Sequence, residues 1–194
     1  WMRNKLDAGY ERVIWADADI LVFAPSRLNV QVQRGHAFAH ELFLRMMPDG
    51  GVMPIEGMNN ALMVFEREQG ILDIYLNNAL EHLLALPQGP VPRTALGPAL
   101  LKKLACEFQL DMLHGVGLFT LALIREIASG GGPLSLECVR RSPAPLGAAN
   151  LCHFLRNVTP VQEREKFDVL YGTAVHCLLD SGGTVLERAA QYRK

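Results

Sequence analysis

Arg12-Val13-Ile14-Trp15-Ala16-Asp17-Ala18-Asp19-Ile20-Leu21-Val22-Phe23 sets two short apolar runs on either side of a pair of aspartates. Runs of this length without polar alternation fit strands buried on both faces of an α/β sheet, over Val13–Ala16 and Ile20–Phe23. Upstream, Arg3 to Gly9 reads as the end of a helix closed by Gly9, because glycine accepts the left-handed backbone that terminates helices. Helix, the link Tyr10-Glu11-Arg12, then strand is the αβ half of a βαβ unit. Two carboxylates between apolar strands need compensation, by a shifted pKa or a bound cation. Two residues apart in an extended segment, both side chains lie on one face. Such a pair can hold one hard divalent cation through oxygen ligands while the ion also grips phosphate oxygens. In open α/β sheets ligands sit beyond the carboxyl ends of the strands, where Asp17 and Asp19 fall. The plain alternative is a surface turn with two solvated aspartates.

Further along, Ala37-Phe38-Ala39 reads as a short strand and Ala61 to Phe65 as a better one, with the breaker-rich Pro48 to Gly57 as a loop between them. From Gly70 the spacing of Ile71, Ile74, Tyr75, Leu80, Leu83 and Leu84 predicts a helix up to Pro87. Gly97-Pro98 opens another, over Ala99 to Phe108, with proline where its missing N–H is harmless. Leu118 to Ala128 reads as a further helix, ended by Ser129-Gly130-Gly131-Gly132-Pro133. Arg140 to Ala149 has little periodicity, and beyond Thr159 short apolar runs alternate with Gly172 and Gly182-Gly183.

The 194 residues suit a single domain, and a hydrophobic share of 49% excludes wholesale disorder. Nineteen Lys and Arg against twenty Asp and Glu leave a net charge of −1, which argues against nucleic acid as a partner. The longest apolar stretch, Gly117 to Ile124, stops at Arg125-Glu126, so no membrane span is expected. Charges at Arg3, Lys5, Asp7, Glu11 and Arg12 leave no signal-peptide core. A start at Trp1, inside patterned sequence, points to a fragment. Cys106, Cys138, Cys152 and Cys177 contain no CxxC pair, so a zinc knuckle or thioredoxin-type site has no support. Two disulfides or four small thiols both remain open.

At Tyr10 to Val22 the chain resembles the DXD segment of nucleotide-sugar glycosyltransferases with the GT-A fold. Gly57-Met58-Asn59-Asn60-Ala61-Leu62-Met63-Val64-Phe65 resembles that family's segment in which small polar residues precede a strand and line the sugar pocket. Thr94-Ala95-Leu96-Gly97-Pro98-Ala99-Leu100-Leu101 is similar to the Gly-Pro element of the DXD sugar-binding-region group, which includes capsule and outer-chain sugar transferases. Ala149-Asn150-Leu151-Cys152-His153-Phe154-Leu155 lies where that group tends to place a C-terminal histidine near metal or diphosphate.

The resemblance implies a GT-A-like α/β fold, a Rossmann-like mixed sheet flanked by helices, lacking the family's N-terminal half. It implies one glycosyltransferase-like domain over 1–194, with a catalytic core at about 3–157 and a C-terminal tail at 158–194. It further implies Asp17 and Asp19 as the catalytic pair on Mn2+ or Mg2+, with His153 as a third metal ligand and Asp17 also on the nucleotide ribose. Asn59, Asn60, Gly97 and Pro98 would contact substrate. The donor would be a nucleotide-diphosphate sugar, the acceptor a glycan or lipid-linked hydroxyl, and transfer would retain anomeric configuration. Each position also has an ordinary reading. Asn59-Asn60 serve as turn residues, Gly97-Pro98 as a helix start and His153 as a core or surface histidine. Glu41 and Glu56 are conceivable bases. Two other functions stay open: a haloacid-dehalogenase-like phosphatase using Asp17 and Asp19 covalently, and a non-catalytic transferase-like fragment.

Overall fold

Elements run in the order α1 (Met2–Asp7), β1 (Arg12–Ala16), β2 (Ile20–Val22), β3 (His36–Met46), β4 (Val52–Glu66), α2 (Ile71–Ala85) and α3 (Pro98–Glu107). They continue with β5 (Met112–Leu113), β6 (Val116–Leu118), α4 (Leu121–Ala128), α5 (Pro133–Arg141), β7 (Ala148–Asn150), α6 (Leu155–Val158) and α7 (Arg164–Ser181). The structure is a computed structural model that describes residues 1–67, 70–92 and 95–188. Thr94, the first residue of the Gly-Pro element, lies outside the described residues, as does the end of the tail from 189 onward. The chain is mixed α/β and divides into two compact units.

The first unit comprises Trp1–Asp17, Val30–His40 and Gly57–Leu113. Its sheet has the order β1-β4-β3-β5, with β1 antiparallel to β4 and β3 parallel to β5. Val13 faces Phe65 across the first pair, and Ala16 faces Leu62. Phe38, Phe65, Leu72, Tyr75, Leu101 and Leu104 form the core. Phe65 meets the Phe38 ring edge-on at 5.6 Å, and Tyr75 tilts against it at 5.9 Å. Helix α1 ends as its sequence predicts, with Gly9 at φ +105° just past the last turn. Helices α2 and α3 also stand where spacing and Gly97-Pro98 place them, α3 with proline in its first turn.

The second unit comprises Ala18–Asn29, Glu41–Glu56 and the described residues from His114 on. Its sheet has the order β2-β7-β6, antiparallel between β2 and β7 and parallel between β6 and β7. Phe23, Phe119, Ile124, Ile127, Tyr171 and Leu178 anchor its core, and α4 packs on α7. No helix among the described residues is long and apolar enough to cross a membrane.

Several sequence expectations are corrected. β1 and β2 are edge strands in antiparallel pairs, not strands buried on both faces. Only Val13 of β1 is buried, while Ile14 and Trp15 are each 41% exposed. The expected loop at Pro48–Gly57 shrinks to a tight turn closed by Met47 N–H to the Gly51 carbonyl at 2.8 Å, and β4 starts at Val52. Pro54 lies inside β4 but outside the stretch Leu62–Glu66 that pairs with β1. Leu118 closes β6 instead of opening a helix, and α4 starts after Thr120, whose hydroxyl accepts the Leu123 N–H at 3.3 Å. Pro133 both follows α4 and opens α5, a helix that the sequence pattern does not announce. The tail is not a series of short runs. Phe167, Tyr171, Ala174 and Leu178 make one buried stripe at helical spacing along α7, and Gly172 lies over open space.

Candidate functional site

In the first unit, Asp17 follows directly on the carboxyl end of β1. Its backbone N–H continues the ladder to the Ala61 carbonyl at 2.8 Å. Alternation along the strand places Trp15 and Asp17 on one face, and the indole Nε1–H donates to Asp17 Oδ1 at 2.8 Å. Across the ladder, Asn59 and Asn60 lie within β4 instead of in a turn before it. Asn59 Oδ1 accepts the Ala61 N–H at 2.7 Å. Asn60 forms a side-chain hydrogen bond with Tyr75, whose hydroxyl donates to the Leu96 carbonyl at 2.6 Å. That hydroxyl has one proton, already directed at Leu96, so the Asn60 amide is the donor in their bond. Burial pushes the Tyr75 phenol above its ordinary pKa, and the nearby Asp17 charge adds to the rise.

Gly97 completes this group. A Cβ there would lie 2.4 Å from Asn60 Oδ1, so only glycine lets the start of α3 come this close. Pro98, half-buried, is the first residue of that helix. Four of the residues singled out in the sequence, Asp17, Asn59, Asn60 and Gly97, therefore share one neighbourhood, and Tyr75 joins them. Tyr75 is hidden in the sequence because it sits in the apolar stripe of α2 and reads as ordinary core.

In the second unit, Asp19 lies in the turn before β2. Its carbonyl accepts the Leu151 N–H at 3.0 Å, and its Oδ2 accepts the His153 N–H at 2.9 Å. His153 thus meets Asp19 through its backbone. Its exposed ring instead leans on Phe167 at 5.9 Å and Tyr171 at 5.5 Å. Between them, Cys152 adopts φ +51°, a left-handed conformation rare for a residue other than glycine, and its N–H donates to Asn150 Oδ1 at 2.8 Å. Burial, together with the charges of Asp19 and Glu41, pushes the Cys152 thiol up to about 12. It is therefore a neutral thiol at physiological pH. All four cysteines are free thiols, Cys138 buried and Cys106 exposed. Glu56 is exposed.

Among the described residues, no group of three or more His, Cys, Asp or Glu side chains is placed to hold a metal ion. Compared with protein-family models, with curated proteins and with solved structures, the chain matches none of them. Cys152 and Tyr171 carry no distinguishing signal in the sequence, the first being a lone cysteine and the second a core aromatic at helical spacing from Phe167.

Proposed function

We propose that the chain is a GT-A-type glycosyltransferase domain that moves a sugar from a nucleotide-diphosphate donor to a hydroxyl of a glycan or lipid-linked acceptor, with retention. The observation that carries this reading is the grouping of Asn60, Tyr75 and Gly97 beside the Asp17 end of β1. The end of β1 and the strand beside it bear an aspartate and two asparagine amides, groups suited to sugar or ribose hydroxyls.

A cage of three protein ligands is not required for the metal this reading needs. Mg2+ or Mn2+ carried by a diphosphate takes one or two carboxylates from the protein and the rest of its shell from phosphate and water. Asp19, half-buried with one carboxylate oxygen fixed by the His153 N–H, fits that smaller role. Bound there, the cation supplies neutralisation of the charge that builds on the leaving diphosphate. The resemblance gives Asp17 the nucleotide ribose. Asn60, braced by Tyr75 and Gly97, orients donor hydroxyls, and this positioning lowers the barrier by fixing the reacting geometry. Asn59, with its oxygen committed to Ala61, has its NH2 group left to donate.

Titration calorimetry with a panel of UDP- and GDP-sugars in Mn2+, followed by assay of nucleoside diphosphate release, tests the reading. Binding and release are expected in the wild type and are lost in Asp19→Asn. An asparagine oxygen still accepts the His153 N–H, so that variant keeps its fold and its Tm. Undiminished turnover in Asp19→Asn overturns the assignment of Asp19. Silence toward the whole panel overturns the transferase reading and favours a non-catalytic module.

A further inference from the structure

Tyr171 is a buried polar group that the reading above leaves without a task. Only 4% of its surface is exposed, and its ring stacks on Phe167 at 4.3 Å with His153 edge-on at 5.5 Å. A tyrosine this deep ordinarily pairs its hydroxyl. Here the hydroxyl oxygen is buried and has no hydrogen-bond partner among the described residues. Phenylalanine would fill the same space without the cost of a desolvated, unpaired hydroxyl.

The surroundings indicate what kind of partner would suit it. Burial weighs most on the Tyr171 hydroxyl, and the charge of Asp19 bears on it as well. Cys152 is the strained residue, whose left-handed backbone delivers the His153 N–H to Asp19. An orphaned donor, a strained residue and a half-buried carboxylate thus converge in one unit, the combination that marks a binding site more than a packing detail. A bare anion is disfavoured, because Asp19 and Glu41 both act on Cys152. A diphosphate neutralised by a divalent cation suits both needs, since the carboxylate takes the cation and the hydroxyl takes an anionic oxygen.

We infer that Tyr171 is a ligand-contacting residue whose hydroxyl donates to a phosphate oxygen of the nucleoside diphosphate–cation complex held at Asp19. This rests on the transferase reading.

Tyr171→Phe removes a single oxygen. Thermal unfolding and calorimetric titration with UDP and with GDP in Mn2+ read its two consequences separately. The expected result is a ligand-free Tm at or above the wild-type value. The Kd for the Mn2+–nucleoside diphosphate that the wild type binds should weaken about tenfold, as loss of a charge-assisted bond implies. An unchanged Kd overturns the inference and leaves the transferase reading standing. A loss confined to the complete nucleotide sugar also overturns it, because the hydroxyl then contacts the sugar. A lowered Tm without ligand overturns it as well, since it reveals a partner already present. If the wild type binds neither nucleotide, the transferase reading fails and takes this inference with it.

Discussion

Gly97→Ala is the sharpest test of the neighbourhood around Asp17. The new methyl would stand 2.4 Å from Asn60 Oδ1, 3.2 Å from its Cγ and 3.7 Å from its Nδ2. Gly97 has φ −109°, so the cost is steric and not one of backbone handedness. Asn60 must swing away, which breaks its bond to Tyr75, while Tyr75 keeps the Leu96 carbonyl. Overpacking of this kind costs about 1–3 kcal/mol, and loss of one neutral hydrogen bond accounts for about 1 kcal/mol of it. Asn60→Ala alone loses the hydrogen bond and opens space for a methyl at 97. The double variant should then be more stable than the sum of the single losses predicts, by about 1–2 kcal/mol of coupling. Urea unfolding of the four proteins measures this cycle. Strict additivity would falsify the contact between Gly97 and Asn60, and with it the claim that α3 braces that amide. The same four proteins, assayed for nucleoside diphosphate release, report whether displacing Asn60 raises KM for the donor.

Other perturbations test the frame that holds the site. Gly147→Ala puts a Cβ 2.6 Å from the Ala24 carbonyl oxygen and the Leu28 nitrogen, both backbone, whereas Gly117→Ala meets the Phe119 ring edge at 2.6 Å. A ring can shift and a backbone scarcely can. Chemical denaturation should therefore place Gly147→Ala at or above the top of the usual range of about 1–3 kcal/mol, and Gly117→Ala within it. Glu126 Oε2 accepts both the N–H and the hydroxyl of fully buried Ser135, at 2.9 and 3.2 Å, near the start of α5. Glu126→Ala should cost about 1.5–3 kcal/mol, with Glu126→Gln recovering part of the loss in the same unfolding assay. Burial opposes ionisation of Asp111, yet the Arg34 side chain and the N–H groups of Gln33 and Arg34 outweigh it and hold its pKa below the ordinary value. Its stabilisation is therefore complete above the unfolded carboxylate's pKa and lost as pH falls through the lower folded one. Asp111→Ala should destabilise at neutral pH and converge with the wild type in acid, and Tm measured against pH checks that convergence.

The parts of this fold that are legible in the sequence carry a local signal strong enough to stand without tertiary context. Gly97-Pro98 marks a helix start by chemistry alone, and the α2 spacing requires nothing beyond its own turns. The long strands are harder. β3 shows itself only at Ala37-Phe38-Ala39, because the polar residues Glu41 and Arg45 dilute the apolar pattern toward its far end. Pro48, Gly50, Gly51 and Pro54 look like one loop, although the chain turns within Met47–Gly51 alone. Helix α7 is obscured for a similar reason, since Gly172 interrupts the pattern but sits on the side away from Phe167 and Tyr171. The site divides along the same line. Asp17, Asn60 and Gly97 are visible through residue type and position, while Tyr75 and Tyr171 differ from ordinary core residues only in where their hydroxyls end.

The Asp17-Ala18-Asp19 segment shows how far a spacing argument extends. Residues two apart share a face only while the backbone stays extended, and β1 meets that condition through its last residue. Trp15 and Asp17 accordingly meet side by side. Ala18 and Asp19 then form a turn, so the direction of Asp19 is set by the backbone beyond β7, where the Leu151 N–H bonds its carbonyl and the His153 N–H its carboxylate. Each aspartate therefore has its own support, Asp17 from an indole on the strand before it and Asp19 from two distant N–H groups. On the proposed transferase reading, Asp17→Asn and Asp19→Asn each remove one charge and keep an amide oxygen that can still accept from Trp15 or from the His153 N–H, so titration of each variant with nucleotide and with Mn2+ is expected to weaken the first ligand in one and the second in the other.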